Sequence, residues 1–387
     1  DVERSRGLGD VYKRQLLCTA LHFTANAQSV INSDAYLAHI ERSGQEPMQY
    51  VADKIRKYSV VTIGEDHWIK DHPLFLCDVI DSMATDTTAN IDILALEFGN
   101  SMDQKLVNEL LNSSEYREDL VFKILQHAPD DYGNPYKEYA DVFRKVWETN
   151  QTKPQEYRTR IVLLDPAYIQ QVFDKEEVQY TCSRDDNMVN LIRWYIIQRK
   201  HVVFYAGGAH TTAQIRGIRN GDYYYNYPSA GYLLKKCYPN DVFIITLWGA
   251  YMGANGYIPD EKTRWVQLAG GVIDEAFRMN GNKPVAFDLG GAFASLTVAD
   301  YFGNPDGKLI WVDNPMNGSP YVKTNLLADG CDGIIFIKPT AEFSGIHLID
   351  IYDEEFLKRI ENRSEGKCKT SEQTLKEIKE WHPILEY

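Results

Sequence analysis

The chain reads as an α/β protein: a mostly parallel central sheet covered by helices, with helical insertions and a charged helical C-terminal tail. Three observations lead there. Short runs of β-branched and aliphatic residues recur without polar alternation, the pattern of strands buried on both faces. Segments with helix-start signals fall between them. Four of the runs also stop on ionisable residues: SVVTIGEDH at Glu65 and His67, IDILALE at Glu97, IVLLD at Asp165 and HVVFYAGGAH at His210. Ligands of open parallel sheets bind in the crevice beyond the carboxyl ends of the strands. Glu65, His67, Glu97, Asp165 and His210 are therefore expected to share one edge.

Taken in order, the chain opens on DVERSRGLGDVYKRQ, which resembles a cloning or assembly remnant. LLCTALHFTANAQS then gives a short apolar run ending in Ala25-Asn26-Ala27, the small-x-small signature of an export signal. Residues 1–27 are set apart on that reading. The mature protein is expected to begin at Gln28 and to be exported, to the periplasm or outside the cell. Residues 28–351 form the α/β domain. After the first strand, Asp71-His72-Pro73 starts a helix, with Asp71 as the cap and Pro in the first turn. PLFLCDVIDSM is apolar on several faces and should pack on the sheet. Residues 102–150, after the second strand, read as amphipathic helices broken at APDDYGNPY, an insertion long enough for a side lobe.

The helix of residues 183–199 follows the IVLLD strand. Ser183 and Asp186 have capping-box spacing. Arg184 is a cation in a first turn, where the helix dipole disfavours it by about 0.3–1 kcal/mol. A nearby carboxylate would offset that, and Glu97, Glu65 or Asp165 is the expected partner. The HVVFYAGGAH strand leads to the tyrosine-dense GDYYYNYPSAGY, the helix AGYLLKKCY and the strand DVFIITLW. VAFDL, LIWVD and GIIFI extend the sheet, and residues 352–387 form the charged helical tail.

Composition narrows the function classes. Of 387 residues, 44% are hydrophobic and 12% aromatic, a globular balance. The net charge is −14 and no basic run exceeds short pairs such as Lys235–Lys236, which disfavours a nucleic-acid partner. No internal stretch approaches the roughly 20 apolar residues of a membrane span. Beyond residue 27 the cysteines are Cys77, Cys182, Cys237, Cys331 and Cys368, widely spaced and without C-x-x-C, so zinc-finger and redox motifs are absent.

No G-x-S-x-G, Walker A, H-E-x-x-H or strand-following G-x-G-x-x-G occurs. The chemistry rests instead on His67, His210 and the carboxylates, a set suited to activating water. The same groups could hold a metal, with Glu65, His67 and His210 as ligands, or haem. His72 lies at a helix start and carries no chemistry of its own on this reading. His127, His201, His347 and His382 have no motif around them.

GEDH after a strand, LEF at the next strand end, RDDNMVNLIRWY on a helix and VVFYAGGAH together resemble the erythromycin-esterase-like and haem-uptake (ChaN-like, Tiki/TraB-related) superfamily. PSAGYLLKK and CDGIIFIKP are similar to its esterase branch. The resemblance covers about residues 58–340. It implies a site at the strand ends and, in the esterase branch, hydrolysis of an ester or lactone without a metal or a serine nucleophile. Carried over by position, His67 would be the general base, Glu65 and Glu97 would orient it or the water, and His210 and Arg184 would stabilise oxyanion charge. The expected partner is a small-molecule substrate. Two features lean toward the haem-uptake branch: only Asp66 separates Glu65 from His67, and Gly207 stands where the esterase branch has a second histidine. That branch implies a porphyrin partner, with Tyr224, Tyr225 or His210 as candidate haem ligands. A Tiki/TraB-type reading implies a metal-dependent peptidase on the same Glu/His set.

Overall fold

The computed structural model describes residues 32–128, 132–166, 183–213, 215–220, 223–251, 265–297, 300–301, 326–381 and 385–386. The expected leader at 1–27, the LIWVD segment and Cys182 lie outside these. Seven strands form the main sheet: β1 (Val60–Glu65), β2 (Ile93–Asn100), β3 (Arg160–Asp165), β4 (Val202–Gly207), β7 (Val242–Leu247), β10 (Val285–Asp288) and β11 (Gly333–Phe336). Two small hairpins, β5 (Ile215–Asn220) with β6 (Tyr223–Pro228) and β8 (Ala250–Tyr251) with β9 (Val266–Gln267), stand outside it. The strand order is β10-β11-β7-β1-β4-β2-β3. All neighbours pair in parallel except β10 and β11, so the α/β class holds and one edge strand runs against the rest.

The absence of alternation in the strand sequences has its cause in two buried faces. Ile63, Leu96, Tyr205 and Ile245 point into one apolar cluster, and Val60, Ala95, Phe204 and Ile244 into the other. The first face is covered by α2 (Pro47–Lys57), α3 (Asp71–Ser82) and α6 (Lys137–Thr152) through Tyr50, Leu76 and Phe143. The second is covered by α1 (Ser33–Ser43), α7 (Arg184–Ile197), α9 (Ala230–Cys237) and α10 (Val272–Met279) through Ile40, Met188, Leu234 and Phe277. The insertion consists of α4 (Gln104–Asn112), α5 (Glu118–Gln126) and α6; α6 packs on α3 and so lies against the sheet. Short α8 (Gly208–Thr211) follows β4, and α11 (Leu327–Gly330) precedes β11. The tail forms α12 (Glu354–Arg363) and α13 (Ser371–Trp381), seated through Phe356, Ile360 and Ile378.

Two helix starts differ from expectation. Asp71 is the first residue of α3, not its cap; its carboxylate takes Lys338 Nζ at 2.6 Å and the Ser344 N–H at 3.3 Å. At α7, Ser183 makes no capping hydrogen bond and its buried Oγ has no partner among the described residues, because the first turn is committed to tertiary contacts through Arg184 and Asp185. No helix among the described residues is long and apolar enough to cross a membrane.

Candidate active site at the carboxyl edge of the sheet

Four neighbouring strands, β1, β4, β2 and β3, bring their carboxyl ends together. Glu65 is the last residue of β1, and His67 follows two residues on. Gly207 ends β4 and α8 presents His210. Asp165 ends β3, and Arg184 and Asp185 open α7. Glu97 is not terminal: β2 runs on to Asn100, and its register with β3 shifts between Leu96 and Asn100. Such irregularities re-aim side chains, and Glu97 lies within this one.

The side chains form two linked groups. In the first, the Glu65 carboxylate accepts His67 Nδ1–H at 2.8 Å and the Tyr139 hydroxyl at 2.5 Å on Oε1, and the Tyr205 hydroxyl on Oε2. In the second, Glu97 Oε1 takes Arg184 Nη2 at 2.7 Å and His210 Nε2 at 3.3 Å, while Oε2 takes the Gly207 N–H at 2.6 Å. Arg184 Nε reaches Asp165 Oδ1 at 2.7 Å. Asp185 Oδ1 receives His210 Nδ1 at 2.9 Å and the Ala230 N–H at 2.7 Å, fixing α8 against the start of α9.

Backbone space decides how the groups meet. A Cβ on Gly207 would stand 2.6 Å from His67 Nε2 and 3.4 Å from Glu97 Oε2, so the imidazole edge and the Glu97 carboxylate both close on this glycine. A Cβ on Gly64 would meet Thr211 Oγ1 at 2.4 Å, so α8 seats against β1 only because position 64 has no side chain.

Burial and charge sort the protonation states. Glu65 and Glu97 are buried, whereas the His67 side chain is 45% exposed. Partial desolvation of the ring would lower His67, but its bond to Glu65 and the charges of Glu97 and Glu65 outweigh that and raise it to about 9, with Arg184 opposing. Burial would raise Glu97; the charges of His210, Arg184 and His67 override it and hold Glu97 far below the ordinary carboxylate range. Asp165 moves up because burial exceeds the pull of Arg184, and its Oδ2 has no partner among the described residues. Burial and then the Glu65 charge push Tyr139 and Tyr205 well above the ordinary phenol range, so both remain donors.

Glu65, His67, Glu97, His210 and Arg184 thus share one edge, with Asp165 beside them. The side chains of Tyr224 and Tyr225 lie outside those described, although their backbone belongs to β6. Tyr139, Tyr205 and Asp185 were missed by sequence reasoning. Tyr205 is in the interior of an apolar strand and Tyr139 in an amphipathic helix, so neither carries a local signal. Asp185 stood next to Arg184 and was readable only as a helix-start acid. His72 also has a role. Its Nδ1 accepts the Asp66 N–H at 3.0 Å and its Nε2 donates to the Trp248 carbonyl at 3.4 Å, pinning the turn that carries His67. Trp68, next in that turn, has φ +69°, a conformation side chains disfavour.

Among the described residues no group of three or more His, Cys, Asp or Glu side chains is arranged to hold a metal ion. Both ring nitrogens of His210 lie against carboxylates, Nδ1 2.9 Å from Asp185 Oδ1 and Nε2 3.3 Å from Glu97 Oε1.

No family model matches the chain, and no curated protein matches it. Among solved structures it is similar to a succinoglycan biosynthesis protein, at TM-score 0.51 and 11% identity over 83% of this chain and 99% of that one. An erythromycin esterase variant in its open conformation is similar at TM-score 0.45 and 9% identity, over 74% of this chain and 92% of that one. ChaN of Campylobacter jejuni, described with cofacial haem, is similar at TM-score 0.33 and 11% identity, over 51% of this chain and 85% of that one. The first likeness shows a shared fold. The other two are too loose in shape to carry an argument about the site.

Proposed function

We propose that the chain hydrolyses an ester or lactone of a small molecule, using water activated by His67. One observation carries this reading: His67 is fixed through Nδ1 on the buried Glu65 carboxylate, while its side chain stays 45% exposed at the mouth of the sheet edge. A base oriented at one ring nitrogen and open at the other is the arrangement that proton transfer from water requires. Neutral His67 Nε2 takes a proton from water as the water oxygen bonds to the carbonyl carbon. The carbonyl electron pair moves onto oxygen, giving a tetrahedral oxyanion. Its collapse expels the alkoxide, which takes the proton from His67 and leaves as an alcohol beside the carboxylic acid. Arg184 sets a positive field along the same edge, with His210 beside it; Glu97 and Asp165 balance much of that field, and what remains aids the oxyanion electrostatically.

The test is wild type and His67→Ala on a panel of simple esters and lactones, with a parallel haem titration. Loss of turnover by about 10²–10⁴-fold with little change in substrate binding supports the reading. Tight haem binding with a Soret band and no hydrolysis would replace it with the carrier reading. Wild-type turnover in His67→Ala would reject the mechanism.

A further inference from the structure

Three donors hold the buried Glu65 carboxylate. One oxygen takes both His67 Nδ1–H and the Tyr139 hydroxyl, and the other takes Tyr205. Tyr205 belongs to the sheet itself. Tyr139 does not: it comes from α6, the last helix of the insertion after β2. Its ring is stacked on Phe98 with centroids 4.1 Å apart and planes 3° from parallel, and its hydroxyl also lies 3.4 Å from His67 Nδ1. A stacked, buried phenol has little freedom, so its O–H is aimed at the oxygen that His67 uses. Two donors on one carboxylate oxygen compete for the same charge.

We infer that Tyr139 is a positioning residue, supplied by the insertion, that draws charge from Glu65 and so limits how tightly His67 keeps its proton. The other groups acting on His67 are Glu97 from β2, Arg184 from α7 and Asp66 within its own turn, with Tyr205 acting through Glu65. None of these shares Glu65 Oε1 with His67. Tyr139 is thus a contact through which the insertion reaches the proton chemistry of the sheet edge. For its effect on rate the inference rests on the hydrolase reading; for its effect on His67 it does not.

The experiment is an NMR titration of the His67 imidazole in wild type, in Tyr139→Phe and in protein carrying 3-fluorotyrosine at position 139. Phe keeps the stack on Phe98 and removes only the donor, so the His67 titration should move up by roughly half a unit to one unit. The fluorinated phenol is a stronger donor and should move it down. These two shifts of opposite sign are not produced by a merely structural role. An unchanged titration in both, or a downward move in Tyr139→Phe, overturns the inference. Should Tyr139→Phe fold poorly, the fluorotyrosine protein decides alone. If the hydrolase reading also holds, Tyr139→Phe loses about 3–10-fold activity near neutral pH, in proportion to the titration shift, and recovers it at high pH. A pH-independent loss would contradict the inference, while titration shifts without any hydrolysis would leave it standing and reject the hydrolase reading.

Discussion

Arg184 Nη2 stands 2.7 Å from Glu97 Oε1, and this contact makes a cation tolerable in the first turn of α7. The helix dipole opposes the charge, but Glu97 and Asp165 are buried carboxylates with more to lose without it. Breaking a buried ion pair by removing one partner typically costs about 3–5 kcal/mol. Arg184→Ala should therefore lower stability to urea by about that much at pH 7.5, and by less at pH 5, where the orphaned carboxylates can take protons. Equal losses at both pH values would mean that the carboxylates are not the source of the cost. Arg184→Lys should rescue only part of it, because one ammonium cannot reproduce the forked contact.

Gly207 makes a different kind of prediction. Its φ is −53°, ordinary for any residue, so glycine is required there by space alone. In Gly207→Ala the new methyl would meet His67 Nε2 at 2.6 Å and Cε1 at 2.8 Å. The half-exposed ring can swing outward, so the protein should fold with little loss of stability. On the hydrolase reading, turnover should fall by at least about tenfold, since an ångström-scale displacement of a catalytic group costs up to 10²-fold. A crystal structure of the variant with His67 unmoved would contradict this.

The convergence of Glu65, His67, Glu97 and His210 was legible because parallel pairing leaves strand ends at one edge: Glu65 ends its strand, His67 and His210 follow theirs, and only Glu97 lies short of an end, three residues inside β2. Arg184 was legible through the conflict between its charge and its position. Tyr139 and Tyr205 were not, since a polar atom at the tip of a ring in an apolar segment looks like core until its partner is placed. The strand order was not legible either; nothing in β10 signals that it runs antiparallel to β11. The capping reading of Ser183 failed because local spacing cannot show that the first turn of a helix is claimed by distant groups.

His67 has a pH signature with a definite sign. Its proton is retained to about 9, because the bond to Glu65 and the charges of Glu97 and Glu65 outweigh burial. If His67 must be neutral to accept a proton from water, kcat/KM should rise with pH through an acid limb near 9. Glu65→Gln removes the charge that opposes burial, so the limb should move down by at least a unit while the maximum rate falls through loss of orientation. The stability linkage has the same sign: a raised folded value means the His67 contribution is full below the unfolded 6.5 and is lost as pH rises through about 9. A limb that stays in place in Glu65→Gln would show that another group titrates in it.

His72 predicts the opposite slope. It is fully buried, and burial lowers it to about 4, against weaker pulls from Glu65, the Trp248 carbonyl and Asp71. The neutral ring is needed because Nδ1 must accept the Asp66 N–H while Nε2 donates to Trp248. Between pH 6.5 and 4 the unfolded chain binds a proton that the folded chain refuses, so stability falls as pH falls across that window. The shift corresponds to roughly 3 kcal/mol lost by pH 4. Protonation would also remove the acceptor that pins the Asp66–His67 turn, so activity should be lost irreversibly faster at pH 4.5 than at 6.5. His72→Gln cannot titrate. It should be less stable than wild type at pH 7, because the amide fits the ring's place imperfectly, yet its stability should decline less between pH 6.5 and 4. Urea melts of both proteins at half-unit intervals check this, and parallel declines would show that His72 is not the acid-sensitive group.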